Sequence, residues 1–142
     1  MAQIGIAHLT WKRYCQRGLL PFGITLKQCY VLRQLLRREV LYPAEVARML
    51  FCDRPTATVI LANMVRQGWI VRSRDPDDGK RVRIMITDAG RTLCAKIDQQ
   101  SSTHTPFDPL ACLTEDESYE LHRILLKLNA HLRPLNEETE GG

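Results

Sequence analysis

The segment DPDDGKRVR, residues 75–83, concentrates three aspartates, one glycine and three cationic side chains. Proline, aspartate and glycine turn a chain back on itself, and the flanking runs WIVRSR and RVRIMI have the β-branched content of strands. Gly79 would allow a tight turn, so that Lys80 and Arg81 could project into a DNA minor groove or onto phosphates. The segment therefore predicts a β-hairpin with a basic tip.

The aspartates of this turn lie next to basic side chains in the sequence. Carboxylates pointing at DNA would be repelled, so we expect one or two of them to brace a neighbouring guanidinium group in a preset orientation. The aspartates are Asp75, Asp77 and Asp78, and the arginines that they could brace are Arg72, Arg74 and Arg81. We expect Arg72, Arg74, Arg81 and Arg83 to be DNA contacts of the hairpin; the alternative is that they form an ordinary solvated face of a sheet.

A predicted helix before the hairpin carries a second set of polar side chains. Asp53 can cap this helix, and Gly68 closes it. In a helix-turn-helix, the N-terminal residues of the second helix lie near base edges in the major groove, where an arginine can pair with guanine and threonines can contact phosphates or thymine methyls. The candidate DNA contacts on the helix are Arg54, Pro55, Thr56, Thr58 and Asn63. The alternative for Arg54 is an exposed helix-start residue without a partner.

The residues before this helix also show helical periodicity. Apolar spacing predicts one helix from Ile4 to about Arg17, ended by Gly18, Pro21 and Gly23, and a second helix capped by Thr25 and running to Arg38. Pro43 suits the first position of a short third helix, so the third and fourth helices form a helix-turn-helix pattern. The residues expected in the core of that pattern are Val46, Ala47, Leu50, Val59 and Met64.

Further helices follow the hairpin. Asp88 can open a helix that fades in the polar run QQSSTHT and stops at Pro106 and Pro109. Thr114 with Glu117 forms a capping box for a last apolar-striped helix. The expected fold is therefore mainly α with a small β-hairpin: a winged helix-turn-helix flanked by helices from both ends of the chain.

Charge is distributed unevenly along the chain. Net charge is +4 over 142 residues, but residues 1–91 carry 16 cations and 7 acids (+9), whereas residues 92–142 carry 4 cations and 9 acids (−5). A basic half is typical of a surface that meets phosphates, although a solvated charged face is the alternative. No apolar run approaches the length of a membrane span, and no signal peptide is evident, so we expect a cytoplasmic protein with no membrane partner.

No catalytic constellation appears in the sequence. Phosphate-binding, dinucleotide and hydrolase motifs are missing, and we expect neither an enzyme nor a cofactor. The five cysteines include no CxxC pair, and no histidine stands at a zinc-ligand spacing, so we expect no metal site. Cys15 lies beside Lys12, Arg13 and Arg17, cations that could lower the pKa of its thiol.

Four stretches of the chain resemble the MarR (multiple antibiotic resistance regulator) family of transcription factors. They are GITLKQCYVL, YPAEVARML, DRPTATVILANMVRQGWI and RSRDPDDGKRVRIMITDAG, the last being similar to the family's wing signature. The resemblance covers roughly residues 4–132. Two positions depart from the family pattern: Lys80 stands where an arginine commonly enters the minor groove, and Val59 stands where a long polar or basic residue is common.

The resemblance implies a homodimeric repressor that binds double-stranded DNA. Its dimer would be built from a helix at residues 1–22 and helices at residues 92–135, around a DNA-binding domain at residues 23–91, with a disordered tail at residues 136–142. A two-fold dimer implies a pseudo-palindromic operator with half-sites about 34 to 36 Å apart. The alternative is that the terminal helices pack on their own domain.

Two kinds of trigger follow from the same resemblance. Many members bind a small aromatic or phenolic effector in a crevice, which Trp11, Tyr14 and Tyr30 could line here; the alternative is that these residues are core. Other members sense peroxide through a cysteine in the first helix, where Cys15 lies. A different class of function, a winged-helix module that binds protein rather than DNA, would not need cations on both the helix and the wing.

Overall fold

The computed structural model describes residues 2–103 and 110–137, which form six α-helices and a three-stranded sheet. The chain divides into two compact units, residues 1–105 and 106–142. The helices are α1 (Ala2–Leu19), α2 (Leu26–Arg38), α3 (Pro43–Met49), α4 (Arg54–Arg66), α5 (Asp88–Thr103) and α6 (Glu115–Glu137), and the strands are β1 (Val40–Leu41), β2 (Ile70–Arg74) and β3 (Val82–Ile86). The fold is thus mainly α with a small antiparallel sheet, as the sequence predicts.

Helix α1 continues further than predicted. Gly18 lies inside the helix, so the prediction that it ends α1 is wrong. The chain turns instead through a short 3-10 segment, Leu20–Phe22, which ends at Gly23 with φ 63°. A left-handed conformation of this kind is inexpensive for glycine, which has no Cβ.

Helix α2 begins at the predicted cap. The Gln28 backbone N–H donates to Thr25 Oγ1 (3.2 Å), and the Thr25 N–H donates to Gln28 Oε1 (3.0 Å), so two otherwise unpaired donors are satisfied reciprocally. Val31, Leu32 and Leu35 are fully buried. Helix α2 therefore supplies the centre of the core against which the helix-turn-helix and the sheet pack.

The helix-turn-helix consists of α3 and α4. Glu45 accepts a hydrogen bond from the Tyr42 N–H (3.0 Å) at the start of α3, and Asp53 Oδ1 accepts from the Thr56 N–H (2.8 Å) at the start of α4. The predicted Asp53 cap is confirmed. The turn between the helices contains Phe51, which has φ 49° and is 77% exposed.

The sheet contains one strand that the sequence pattern does not predict. Its order is β1-β3-β2, with Val40 opposite Met85 and Arg74 opposite Val82. Strand β1 has only two residues, too few for alternation between buried and exposed positions to be recognised. Strand β1 directly precedes α3 in the chain. Its pairing with β3 therefore attaches the hairpin to the helix-turn-helix.

Helix α5 docks on α2 through an ion pair. Arg33 donates to both carboxylate oxygens of Asp98, at 3.0 and 2.6 Å. The cap of α5 is Thr87, whose Oγ1 accepts from the Gly90 N–H (3.1 Å), and Asp88 is the first helical residue. The helix runs through Thr103, which lies within the polar run QQSSTHT where it was predicted to fade. The predicted stops at Pro106 and Pro109 lie outside the described residues.

The second unit contains α6. Thr114 and Glu117 form the predicted capping box, with N···O distances of 2.9 and 3.3 Å. The helix reaches Glu137, two residues into the segment predicted to be a disordered tail; residues 138–142 lie outside the described part of the chain. Among the described residues, none of the helices combines the length and apolar character that crossing a membrane requires.

Candidate nucleic-acid interface

Helix α4 has one buried and one exposed face. Ala57, Leu61 and Met64 are buried at helical spacing and hold the helix on the core. The four N-terminal candidates Arg54, Pro55, Thr56 and Thr58 are all exposed. The capping hydrogen bonds from the side chain and backbone N–H of Thr56 lower the pKa of Asp53, so its carboxylate is ionised at neutral pH next to the positive end of the helix.

Val59 is not a core residue, and that prediction is wrong. Its side chain is 60% exposed, whereas Val46, Ala47, Leu50 and Met64 are buried as expected. At about 100° per residue, Val59 lies nearly opposite the stripe formed by Ala57 and Leu61. The apolar side chain therefore belongs to the same exposed surface as the N-terminal candidates.

Asn63 is half-buried near the end of α4. Its Oδ1 accepts a hydrogen bond from the guanidinium of Arg66, which is exposed. The pair places a cation at this end of the helix, and the amide of Asn63 orients it.

The hairpin presents the predicted basic residues in different ways. Arg72 and Arg74 on β2 are exposed, as are Lys80 and Arg81 before β3. Arg83 is half-buried, and its Nε donates to Oγ of Ser73, the residue opposite it in the sheet, at 2.8 Å. Arg83 is thus tied to the sheet, while the side chains of the other four cations are exposed.

The turn of the hairpin does not depend on a left-handed glycine. Gly79 is not among the described residues with positive φ, so its backbone conformation is one that other residues also adopt. Two aspartates shape the turn instead: Asp75 Oδ1 accepts from the Asp77 N–H (2.9 Å), and Asp78 Oδ1 accepts from the Lys80 N–H (3.1 Å). Aspartate side chains commonly stabilise turns in this way.

The aspartates do not pair directly with the arginines as predicted. Within residues 2–103, no ion pair joins Asp75, Asp77 or Asp78 to an arginine of the hairpin. Asp75 is only 8% exposed and accepts a hydrogen bond from the hydroxyl of Tyr42. The guanidinium carbon of Arg81 lies 3.9 Å from the centre of the Tyr42 ring. The hydrogen bond lowers the pKa of Asp75 and raises the pKa of Tyr42.

Tyr42 is a residue of the site that no pattern in the sequence indicates. It is separated from Asp75 by 33 positions and stands next to a proline at a helix start, a position that carries no recognisable signal for a contact with the hairpin. The pairing of β1 with β3 brings the two segments together.

An open cleft of about 290 Å³ lies between α4 and the hairpin. Thr58 lines it from α4, and Arg72 and Arg74 line it from β2. Its remaining lining residues are Pro43, Leu61, Ser73 and Val82. Thr58 of α4 and the two strand arginines thus border one concave surface.

The three aromatic residues expected in an effector crevice are not core residues, so the alternative that they are core is wrong. Trp11, Tyr14 and Tyr30 are all exposed. Trp11 and Tyr14 stack on each other along α1, with ring centroids 5.7 Å apart and planes inclined by 18°. These side chains leave an aromatic surface uncovered on a single chain.

Cys15 lacks the environment that would activate a thiol. Burial and the neighbouring Cys29 raise the pKa of Cys15, so the prediction that Lys12, Arg13 and Arg17 lower it is wrong. Lys12, Arg13 and Arg17 are exposed, and solvent screens their charges. In the described ranges, no cluster of three His, Cys, Asp or Glu side chains is arranged to hold a metal ion.

Comparison with known proteins points to one family. A model of the MarR family matches residues 22–81. The multiple antibiotic resistance protein MarR of Escherichia coli K12 is 28% identical over 116 residues, covering 82% of this chain and 81% of that protein. The HTH-type transcriptional regulator TtmR of Methylorubrum extorquens PA1 is 37% identical over 93 residues, covering 65% of this chain and 47% of that protein.

A solved structure gives the same indication. A mutant MarR from E. coli complexed with operator DNA superposes with a TM-score of 0.80 at 26% sequence identity, covering 89% of this chain and 91% of that chain.

Proposed function

We propose that the chain is a MarR-family transcription regulator that binds double-stranded DNA through α4 and the hairpin. The observation that carries the proposal is that Thr58 of α4 and the strand arginines line one cleft, while Arg54, Pro55 and Thr56 are exposed at the start of the same helix. A structural relative crystallised on operator DNA supports it. The relative TtmR is named a transcriptional regulator, and we propose a regulatory rather than an enzymatic function for this chain.

Helix α4 is the proposed recognition helix in the major groove. Arg54, in its first turn, carries two parallel N–H donors suited to guanine O6 and N7. Thr56 and Thr58 would contact phosphates or thymine methyls, and Pro55 and the exposed Val59 add apolar surface for the same methyl groups. Because the side chain of Asn63 orients Arg66, we assign both residues to a phosphate further along the groove.

The hairpin is the proposed wing. Lys80 and Arg81 would reach the minor groove or its phosphates, while Arg72 and Arg74, which line the cleft, would meet the backbone between the two grooves. The side chain of Arg83 is held by its hydrogen bond to Ser73. We therefore expect it to contribute to DNA binding mainly through its positive charge at the base of the wing.

We further propose that the protein is a homodimer built from its terminal helices. Helix α1 exposes Ile4, Ile6, Leu9 and Trp11, and α6 exposes a stripe containing Leu121, Ile124, Leu125 and Leu132. Apolar surfaces of this extent on a soluble domain mark interfaces. The proposed division is residues 1–22 and 92–135 for dimerisation and 23–91 for DNA binding, with a pseudo-palindromic operator as the consequence.

We propose that the protein represses transcription and that a small aromatic or phenolic anion relieves the repression. The cleft beside Thr58 supports this proposal, because an anion held there by Arg72 and Arg74 would remove both guanidinium groups from DNA. The exposed rings of Trp11, Tyr14 and Tyr30 are the proposed second place for an aromatic effector, where dimer formation would enclose them. We expect such a regulator to work in the cytoplasm.

Selection from a random-sequence duplex pool tests the proposal. The purified protein is incubated with the pool, and bound molecules are amplified and sequenced over several rounds. We expect a pseudo-palindromic sequence to be enriched, with half-sites separated by one helical turn. Recovery of sequences no different from the starting pool would contradict the proposal and favour a winged-helix module that binds protein.

A further inference from the structure

We propose that Tyr42 is a positioning residue that holds Arg81 in its DNA-binding orientation, with Asp75 as the anchor of the tyrosine. The inference rests on the proposed function, because Arg81 must contact DNA for its orientation to matter. Tyr42 lies outside the recognition helix and the wing, and we expect it to affect DNA binding only through Arg81.

The backbone around these three residues is fixed on each side. Tyr42 lies between β1 and α3, and its N–H donates to Glu45 (3.0 Å). The Asp75 N–H donates to the Arg81 carbonyl (2.9 Å), closing the base of the wing. Asp75 and Arg81 therefore face each other across the hairpin, and Tyr42 reaches both from the helix-turn-helix.

The hydroxyl of Tyr42 fixes the direction of its ring. It donates to Oδ2 of Asp75, while Oδ1 of the same carboxylate accepts from the Asp77 N–H (2.9 Å). Both carboxylate oxygens are thus occupied by defined donors at a buried position. A hydrogen bond to an ionised acceptor is stronger than one between neutral groups, which makes this a firm attachment for the ring.

The ring in turn holds the guanidinium of Arg81. A guanidinium lying over an aromatic face at 3.9 Å is attracted by the ring's negative face. Such stacking uses the flat face of the group and leaves its in-plane N–H donors available for phosphate or base oxygens. Because the side chain is already ordered before DNA arrives, binding loses less rotamer freedom than it would with a free arginine.

The arrangement also connects the two parts of the interface. Tyr42 directly precedes α3, which packs against α4, whereas Asp75 and Arg81 belong to the wing. The tyrosine therefore sets the position of the wing cation relative to the recognition helix. Tyr42 carries no charge, so its removal leaves the number of cations at the interface unchanged.

The test uses the full chain and the duplex that the wild-type protein enriches most from a random-sequence pool. Affinity is measured by fluorescence anisotropy at several salt concentrations for Tyr42→Leu, Tyr42→Phe, Arg81→Gln and the double variant Tyr42→Leu/Arg81→Gln. Circular dichroism and thermal unfolding of each variant establish that it is folded. Tyr42→Phe keeps the ring and removes only the hydroxyl, so it tests the proposal even if Tyr42→Leu fails to fold.

We expect Arg81→Gln to weaken binding about tenfold and to reduce the salt slope by about one. Tyr42→Leu should weaken binding about three- to tenfold with the slope unchanged, because no cation is lost. Tyr42→Phe should lie between wild type and Tyr42→Leu. The double variant should bind like Arg81→Gln alone, since a residue that acts through Arg81 has no effect without it.

Three results would overturn the inference. If Tyr42→Leu and Tyr42→Phe bind like wild type while Arg81→Gln is weakened, the positioning role is wrong and the proposed interface stands. Additive losses in the double variant would show that Tyr42 acts independently of Arg81. If the pool yields no enriched duplex, the proposed function fails and this inference fails with it.

Discussion

A Cβ atom on Gly90 would overlap the backbone carbonyl oxygen of Trp69 and would lie 2.8 Å from Ile86 Cγ1. That carbonyl already accepts a hydrogen bond from the Thr87 N–H (3.0 Å), and Thr87 Oγ1 donates to the Gly68 carbonyl (2.5 Å). The first turn of α5 is therefore pressed against the chain entering β2. The glycine that ends the ITDAG stretch serves this close packing rather than a contact with DNA.

Gly90→Ala should lower the free energy of unfolding by about 2 to 3 kcal/mol, because the methyl group meets backbone that cannot move independently of the sheet. Urea denaturation followed by circular dichroism measures the change. Gly18→Ala is the matched control: nothing lies within 4 Å of a Cβ there, and the residue is helical. That control should be neutral or more stable than wild type. Equal stability of Gly90→Ala and wild type would contradict the packing argument.

Phe51 is predicted to carry backbone strain. Its φ of 49° is a conformation that costs a non-glycine residue about 1 kcal/mol, and its side chain is too exposed to compensate by burial. Phe51→Asn should therefore raise the free energy of unfolding by about 0.5 to 1 kcal/mol, since asparagine tolerates this region. Phe51→Ala separates strain from side-chain loss, because alanine retains the strain and should not stabilise. Thermal unfolding compares the three proteins, and a stabilised Phe51→Ala with unchanged Phe51→Asn would refute the explanation.

Asp53 is predicted to make the start of α4 pH-dependent. Asp53→Ala should lower the free energy of unfolding at pH 7, whereas Asp53→Asn, which keeps an acceptor for the Thr56 N–H, should lower it less. Hydrogen bonding lowers the pKa of the folded carboxyl, so its stabilisation is present above the unfolded pKa and is lost as pH falls through the folded one. Denaturation at pH 7 and in strong acid should show the difference between wild type and Asp53→Asn shrinking at the lower pH. A difference independent of pH would argue against the charged cap.

Dimerisation is predicted to depend on the apolar stripe of α6. Leu125→Glu places a charge in the stripe and should convert the dimer to monomer in sedimentation velocity experiments, because an unpaired buried carboxylate is expensive. Leu126→Glu is the matched control, since helical geometry puts Leu126 well away from the stripe and its side chain is exposed. A monomeric wild-type protein, or two variants that both remain dimeric, would contradict the proposed interface.

Local signals in the sequence predicted much of this fold. The caps at Thr25, Asp53 and Thr114 depend on residues three positions apart, and each is present. Strand β1 was missed because its partner lies more than forty residues away and its own length is two.

The errors at the candidate site have a common physical origin. The exposure of Val59, the raised pKa of Cys15 and the contact between Tyr42 and Arg81 all depend on which elements pack together. Sequence spacing gives the face of a helix, but it does not give the burial of a thiol or the neighbour of a wing residue. Tyr42 was therefore missed, because its contact with Arg81 depends on tertiary packing, whereas the role of Arg54 stays a prediction.

Arg54→Gln should relax base preference more than it lowers affinity for unrelated DNA. Loss of a bidentate guanine contact typically costs about 1 to 3 kcal/mol of discrimination at one position. Competition binding with single-base variants of the enriched duplex measures this effect. Arg37→Gln, which removes the same charge from the last turn of α2, is the control and should leave base preference unchanged. Equal behaviour of the two variants would exclude Arg54 from base reading.

The salt dependence of DNA binding tests the central claim most directly. Anisotropy titrations of the wild-type protein with its enriched duplex, over a series of salt concentrations, give the slope of log affinity against log salt. If α4 and the hairpin meet phosphates as proposed, the slope should be about −0.9 for each phosphate neutralised, and it should become shallower in a variant lacking Arg72 and Arg74. Affinity that is independent of salt, or a slope unchanged in that variant, would contradict the proposed interface.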